Sequence, residues 1–180
     1  MKNFAAVLCF VLLFAGTADC FRPALDRGVQ EVSVRGFWDP DGALGTEFDV
    51  SGSYGMFLMD NLLAGGLAGY SYYEDSVTGT SADTRIWMLG GFLEYHLDLG
   101  MLTVPYGGLE LGYASYKIAG GSAENSFLYG PKVGMKYFLS EKVALDIALK
   151  YMLASDDIFL NKGEFESSDL FVTFGVRALF

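Results

Sequence analysis

The sequence predicts an all-β fold, an eight-stranded antiparallel up-and-down transmembrane β-barrel preceded by a cleavable signal peptide. Apolar residues make up 52% of the chain, yet 23 glycines and many charges interrupt them. No internal stretch therefore reaches the roughly 18 apolar residues of a membrane-spanning helix. From Val29 onward, turn residues divide the chain into eight segments of strand length. Within most of these segments apolar and polar side chains alternate with the two-residue period of a half-buried strand.

The first 18 residues have the three parts of a secretory signal peptide. A short basic start, Met1-Lys2-Asn3, precedes an apolar run over residues 4–15 and the small-x-small ending Gly16-Thr17-Ala18. We expect cleavage after Ala18, which leaves a periplasmic segment at 19–28 and the barrel at 29–180. Cys20 offers an alternative, lipidation at a mature N-terminal cysteine, although the residues before it lack the Leu of bacterial lipoprotein sites.

The eight predicted strands alternate between short and long connections. We place strands near 29–38, 47–58, 62–74, 84–97, 104–116, 126–139, 143–153 and 168–180. Each is long enough to cross a bilayer, which takes about 9–11 tilted residues. The connections at 60–61, 98–100 and 140–142 are short, whereas those at 39–46, 75–83, 117–125 and 154–167 are longer and acidic. This alternation predicts extracellular long loops at one end, and an even strand number places both termini in the periplasm.

The two faces of the strands differ as a membrane barrel requires. The seventh strand sets an apolar face against a face with Ala144, Asp146, Ala148, Lys150 and Met152. The third strand is too uniformly apolar for its faces to be assigned. A soluble lipocalin-like barrel would have a densely charged face, but here the polar face is rich in Gly, Ser and Ala. Aromatic residues gather where the strands approach the long loops, as in an interfacial girdle: Trp38, Phe48, Tyr72, Tyr73, Trp87, Tyr113, Tyr129 and Tyr151.

Two segments resemble a known family. The last strand ends in Phe174-Gly-Val-Arg-Ala-Leu-Phe180, which is similar to the C-terminal signature of outer-membrane barrels. Residues 136–151 resemble the seventh-hairpin segment of the OmpA-like and OmpX-like porin-family barrel domain. The resemblance covers residues 29–180 and implies insertion into the outer membrane by the barrel assembly machinery, with Phe180 as the assembly signal. It implies contact with outer-membrane lipid and lipopolysaccharide, but it names no substrate or extracellular ligand.

Ionisable residues that the strand period turns inward form a candidate lumen network. Six acids and five bases belong to it: Glu31, Arg35, Glu47, Asp49, Glu94, Glu110, Lys132, Lys136, Asp146, Lys150 and Arg177. The second to fifth strands supply mostly acids, and the sixth to eighth strands with the first supply most of the bases. Unpaired charges are costly in a narrow space with little water, so we expect salt bridges that plug the lumen. The alternative is a narrow porin-like channel for small solutes or ions.

The sequence offers little for catalysis or cofactor chemistry. His96 is the sole histidine, lies beside the short connection at 98–100 and has no evident nucleophilic Ser partner, so a lipid-modifying enzyme is a distant third hypothesis. Asp39-Pro-Asp41-Gly42 has the start of a calcium loop but lacks the later ligands. A formal net charge of −10 disfavours nucleic-acid binding. We therefore predict no enzyme, no cofactor and no metal, and expect a role in envelope integrity or surface interaction.

Overall fold

A computed structural model describes residues 22–42, 45–75, 82–118, 123–161 and 164–180. Ten strands follow one another along the chain: β1 (Gln30–Gly42), β2 (Gly45–Met59), β3 (Leu62–Asp75), β4 (Ala82–His96), β5 (Thr103–Ile118), β6 (Ala123–Ser140), β7 (Val143–Ala154), β8 (Phe159–Asn161), β9 (Glu164–Glu166) and β10 (Ser168–Leu179). Strands β1 to β7 and β10 form a closed barrel in which sequential strands pair antiparallel and β10 pairs with β1. The predicted closed antiparallel barrel of eight strands is confirmed, whereas the predicted signal peptide at 1–18 and Cys20 lie outside the described residues. Within the described ranges, no helix is long and apolar enough to cross a membrane.

The two ends of the barrel are built differently. We call the turn end the one that holds the connections at 60–61, 97–102 and 141–142, together with residues 22–29 and Phe180. There the backbone amides and carbonyls of Gln30 and Phe180 exchange hydrogen bonds of 2.9 and 3.0 Å, which closes the cylinder. The loop end is the opposite one, where β1 meets β2, β3 meets β4 and β5 meets β6.

The long connections predicted at the loop end are shorter than the sequence suggested. β1 continues to Gly42 and β2 starts at Gly45, so most of the predicted loop at 39–46 is paired backbone. The predicted loops at 75–83 and 117–125 shrink in the same way, and the one at 154–167 contains the β8–β9 hairpin. The prediction failed because polar side chains were taken to end the strands. Backbone amides and carbonyls that would otherwise lack partners keep pairing beyond the apolar part.

The outward face forms an apolar belt. Exposed positions carry large apolar side chains on seven of the eight barrel strands, such as Val34, Leu89, Leu111, Val133 and Phe174, whereas β3 exposes the small residues Gly66 and Ala68. The inward face predicted for the seventh strand is the one seen in β7. The undecided third strand turns Leu63 and Leu67 inward. A membrane barrel needs apolar side chains on its lipid-facing outside and polar side chains inside, and this barrel has both.

Exposed aromatic rings lie toward the loop end of this belt. Phe48, Trp87, Tyr113, Tyr129 and Tyr151 all point outward and are 40–64% exposed. Tyr72 faces Phe48 across the β2–β3 pair, whereas the side chains of Trp38 and Tyr73 lie outside the described part. Arg85 also points outward, beyond Trp87 on β4, at a height where a charge can reach the head groups.

Glycine is required where two strands and an inward ring approach one another. A Cβ on Gly65 would collide with the Tyr54 carbonyl oxygen, and it would lie 2.5 Å from the Gly55 Cα and 2.9 Å from the Phe92 ring. The neighbouring Gly66 faces lipid, and a Cβ there would meet only the Gly90 carbonyl oxygen at an ordinary 3.7 Å. The Phe92 ring therefore occupies the space that two facing glycines leave free.

We expect Gly65→Ala to lower the free energy of unfolding by about 1–3 kcal/mol, because the backbone of β2 or the Phe92 ring must shift. Gly66→Ala makes the same chemical change one residue away and should stay within about 0.5 kcal/mol of the wild type. Urea titration of both variants in lipid vesicles, followed by tryptophan fluorescence, measures the difference. Equal stabilities for the two variants would contradict the close packing at Gly65.

Candidate functional site: the charged layer of the lumen

Nine of the eleven predicted lumen residues are buried inside the barrel with at most 7% of their surface exposed. They are Glu31, Arg35, Glu94, Glu110, Lys132, Lys136, Asp146, Lys150 and Arg177. These residues come from six strands: β1, β4, β5, β6, β7 and β10. They meet only because β10 pairs with β1 and closes the cylinder. We call this set the charged layer.

Arg177 is the centre of the turn-end half of the charged layer. Its Nη1 donates to Glu31 Oε1 at 2.6 Å and to Glu94 Oε2 at 2.8 Å. Its Nη2 donates to the Tyr106 hydroxyl oxygen at 2.7 Å and to Asp146 Oδ2 at 3.1 Å. The guanidinium carbon also lies 4.8 Å from the centre of the Tyr106 ring, a cation–π distance. One fully buried cation thus holds three carboxylates from three different strands.

Two lysines of β6 extend these contacts across the lumen. Lys136 Nζ donates to Glu31 Oε2 at 2.5 Å, and Lys132 Nζ lies 2.6 Å from Glu94 Oε1 and 2.7 Å from Glu110 Oε1. Lys132 with Glu94 connects β6 to β4, and Lys136 with Glu31 connects β6 to β1, which are not neighbours in the sheet. The Lys132–Glu110 contact joins the adjacent strands β6 and β5. Lys132 therefore joins the Arg177 cluster to the next cluster toward the loop end.

Glu110 is the anion of that second cluster. It contacts three cations: Lys132 at 2.7 Å, Lys150 at 2.9 Å and Arg35 at 3.5 Å. These cations come from β6, β7 and β1, and Glu110 comes from β5. The longer Arg35 contact leaves its Nε and Nη1 without a hydrogen-bond partner among the described atoms. Among the described salt bridges, Arg35 and Lys150 contact no acid other than Glu110, whereas Lys132 also contacts Glu94.

Asp49 and Glu47 differ from the other nine. Asp49 is half-buried, and its Oδ2 accepts a hydrogen bond of 2.6 Å from the Ser71 hydroxyl. No salt bridge joins it to a lysine or arginine in the described ranges. The side chain of Glu47 lies outside the described part of the structure, although its backbone pairs with Asp39 and Tyr73.

Two further lumen residues were missed in the sequence. His96 was expected at the turn-end rim, but its side chain is fully buried, between the rings of Phe57 and Tyr106. Its Nδ1 lies 3.2 Å from the Asn61 carbonyl oxygen, and its Nε2 lies 3.5 Å from Glu94 Oε2. Tyr106 donates its hydroxyl to Asp146 Oδ1 at 2.8 Å. The two-residue period from Glu94 to His96 was the signal for an inward histidine.

The turn end is closed by an apolar layer and by the segment that precedes β1. Leu25 inserts into a buried cluster with Phe57, Leu63, Phe138 and Leu179. Residues 22–29 are tied to all three connections of this end: the Asn61 amide donates to the Leu25 carbonyl, the Ala24 amide to the Glu141 carbonyl, and the Arg22 guanidinium to Asp98. The segment predicted as a periplasmic extension therefore lies across the mouth of the barrel.

Acid is expected to loosen this segment. The Arg22 guanidinium, with the Gly100 amide, lowers the pKa of the Asp98 carboxyl below its ordinary value near 4. A lowered pKa means that the contact contributes fully above that ordinary value and is lost as the pH falls through the lowered one. The protection factors of the Ala24 and Leu25 amides, which compare exchange with the intrinsic rate at each pH, should therefore fall below about pH 4. In Asp98→Asn these protection factors should be lower already at neutral pH and should no longer fall with acid; an unchanged pH response would contradict the role of Asp98.

The loop end is closed by part of the long connection between β7 and β10. Ile158 and Phe159 fold inward, are buried, and pack with Ile86, Leu128 and Met152. The Phe159 ring lies 5.6 Å from the Phe171 ring in an edge-on arrangement. Two apolar residues in an otherwise acidic segment were the available signal, but the sequence analysis treated the whole segment as a solvated loop.

A metal site is not supported by the arrangement of side chains. In the part of the chain that the structure describes, no three His, Cys, Asp or Glu side chains converge as metal ligands. The backbone of the calcium-like segment Asp39-Pro-Asp41-Gly42 belongs to β1 and does not form a loop. Its pairing with β2 is irregular, with a shift in register between Asp39 and Gly42. The side chains of that segment lie outside the described part.

Comparison with known proteins gives the family. The model of the outer membrane protein β-barrel domain matches residues 5–177, nearly the whole chain. The chain belongs to this family. It is thus an outer-membrane β-barrel, as the resemblance to OmpA-like and OmpX-like barrels implied. Among proteins with curated descriptions, none matches the sequence.

Solved structures of bacterial outer-membrane proteins share the fold of this outer-membrane β-barrel. Neisserial surface protein A is 22% identical, with a TM-score of 0.55 over 84% of this chain and 96% of that one. OprG of Pseudomonas aeruginosa is 16% identical, with a TM-score of 0.57 over 86% and 97%. Ail of Yersinia pestis, in a phospholipid bilayer nanodisc, is 16% identical, with a TM-score of 0.55 over 85% and 99%. At such identities the likeness extends to the fold alone.

Proposed function

We propose that this outer-membrane barrel is a non-enzymatic protein of envelope integrity or surface interaction whose lumen is plugged. The observation that supports the plug most strongly is the charged layer, in which nine ionisable side chains from six strands contact one another inside the cylinder. Each contact spans the lumen or part of it, so ions would have to break several charge-assisted hydrogen bonds to pass. A narrow channel is the alternative that this packing opposes.

Three closures in series support the same proposal. Leu25 and its cluster fill the turn end, the charged layer fills the middle, and Ile158 and Phe159 cover the loop end. An eight-stranded barrel has an interior only wide enough for its own side chains, so little remains for a water column. Buried ion pairs add little net stability over apolar packing, which suggests that their role here is to keep a polar lumen closed while the exterior stays apolar.

The orientation in the membrane follows from the two unequal ends. We place the turn end, with residues 22–29 and Phe180, in the periplasm and the loop end outside the cell, after a signal peptide that ends at Ala18. Phe180 is then the residue that the barrel assembly machinery recognises, and its exposed ring fits such a role. The outward Arg85 and the aromatic girdle suit contact with lipopolysaccharide and other outer-membrane lipid. The name of Ail, attachment invasion locus protein, agrees with a surface role for a barrel of this shape.

A catalytic role for His96 fits the structure poorly. Its ring is fully buried at the turn-end side of the charged layer, behind Leu25 and its cluster. A lipid-modifying enzyme needs its general base within hydrogen-bond reach of a substrate at the outer leaflet. The ring packs instead against the Phe57 and Tyr106 rings in tilted contacts, which points to a structural role.

Deletion of the gene in the source bacterium separates an envelope protein from a pore. We expect the deletion strain to become more sensitive to detergents and large antibiotics, while the uptake rate of small solutes such as glycine stays unchanged. Complementation with the wild-type gene should restore resistance, and the protein should migrate in the outer-membrane fraction with a band that shifts on boiling. Slower uptake of small solutes with an intact detergent barrier would overturn the proposal in favour of the channel.

A further inference from the structure

A cavity of about 80 Å³ lies in the lumen between the charged layer and the loop end. Its polar wall is made by Asp49, Ser71, Lys150 and Thr173, and its apolar wall by the side chains of Met88, Leu128, Met152, Ile158, Phe159 and Phe171. It is therefore amphipathic and separated from the turn end by the paired charges. None of the roles described above uses it.

Two polar side chains at this cavity lack the partners that buried groups normally have. Thr173 is buried, and its hydroxyl has no hydrogen-bond partner among the described atoms. The Asp49 carboxylate has the Ser71 hydroxyl but no salt bridge to a described cation. Lys150, the cation that shares the cavity wall, donates to Glu110 at 2.9 Å. Lys150 and Arg35 are near enough to Asp49 to act on its charge, but neither is within salt-bridge distance of the carboxylate. A buried hydroxyl without a partner, beside a carboxylate that no described cation contacts directly, leaves hydrogen-bonding capacity for a ligand or water.

We propose that this cavity binds a small primary ammonium compound with a short apolar chain. The ammonium group lies against Asp49, where it supplies the direct contact with a cation that the carboxylate lacks, and one of its remaining N–H groups reaches the Ser71 hydroxyl. The apolar chain lies against Met88, Leu128 and Met152. An anion is disfavoured because Lys150 is already engaged by Glu110 and because Asp49 would repel it.

The size of the cavity limits the ligand. About 80 Å³ is roughly half the ~150 Å³ of an apolar cavity that accommodates benzene. A chain of roughly four non-hydrogen atoms therefore fits beside the polar wall, and n-propylammonium is such a molecule. So small a ligand is expected to bind with a Kd on the order of 1–10 mM.

The test is a titration of the full chain in lipid nanodiscs with n-propylammonium, followed by the NMR signals of the Met88 and Met152 methyl groups. We expect shifts that saturate in the millimolar range, and weaker binding of n-propanol, which lacks the charge, and of butyrate, which has the opposite charge. Asp49→Asn should weaken n-propylammonium binding about tenfold or more. Asp157→Asn, the same change at an exposed loop position, should leave it unchanged.

Three results would overturn the proposal. Shifts that do not saturate would mean that water alone fills the cavity. Equal binding to Asp49→Asn and the wild type, in variants that both show a band shift on boiling, would remove the role of the carboxylate. Tighter binding of butyrate than of n-propylammonium would make the cavity an anion site. None of these results depends on whether the barrel conducts.

Discussion

Arg177→Met is expected to lower the free energy of unfolding by about 3–5 kcal/mol, because it leaves Glu31, Glu94 and Asp146 buried with one cation fewer. Methionine keeps most of the side-chain length, so the loss measures the charge and its hydrogen bonds and not an empty space. The guanidinium is fully buried, so its loss leaves the three carboxylates in a part of the lumen that bulk solvent does not reach. Urea titration in lipid vesicles, followed by tryptophan fluorescence, measures the change.

Arg27→Met is the matched control, because Arg27 is exposed and its side chain makes no contact of this kind. It should stay within about 0.5 kcal/mol of the wild type. Adding Glu94→Leu to Arg177→Met should recover part of the loss, since one of the stranded carboxylates is then gone. A loss below 1 kcal/mol for Arg177→Met alone would show that Arg177 does not hold the charged layer together.

Glu110→Gln tests how much the negative charge of Glu110 contributes to the second cluster. Gln has the same shape as Glu and keeps one oxygen acceptor, but Arg35, Lys132 and Lys150 then share no negative charge in their cluster. We expect a loss of about 3–5 kcal/mol in the free energy of unfolding, comparable to that of Arg177→Met. The measurement is again urea titration in vesicles.

Glu141→Gln, at an exposed position of a turn-end connection, provides the matched control and should leave stability unchanged. If Glu110→Gln proves as stable as Glu141→Gln, the three cations do not depend on Glu110. If it is destabilised only at low salt, the cluster is solvated and not closed, because salt screens exposed charges far more than buried ones.

The period of two was enough to predict which charges face inward. Glu94 and Glu110 lie on strands whose glycines blur the pattern, yet both point into the lumen, as the alternation indicated. A slip of one residue would place these charges in lipid, so the register is strongly specified. The face of a strand on which a side chain lies depends on the alternation of its neighbours in the sequence, so it can be predicted well from the sequence.

Contacts across the cylinder were harder to predict, because they depend on how eight strands close. The sequence indicated an acidic wall and a basic wall, but it could not indicate that Arg177 would meet three carboxylates at once. Leu25, Ile158 and Phe159 lie outside the barrel strands, where no period applies, and their burial depends on the shape of the two mouths. The predicted strands ended too early at the loop end, because backbone pairing continues past the apolar residues.

Single-channel recording of the refolded full chain in planar bilayers tests the plugged lumen most directly. We expect no steady conductance at moderate voltage, because a lumen plugged by the charged layer and the two apolar closures would hold no continuous water path. Removing charges, as in Arg177→Met, should produce brief and irregular openings at most. Steady openings on the nanosiemens scale from the wild-type barrel would contradict the plug and establish the channel.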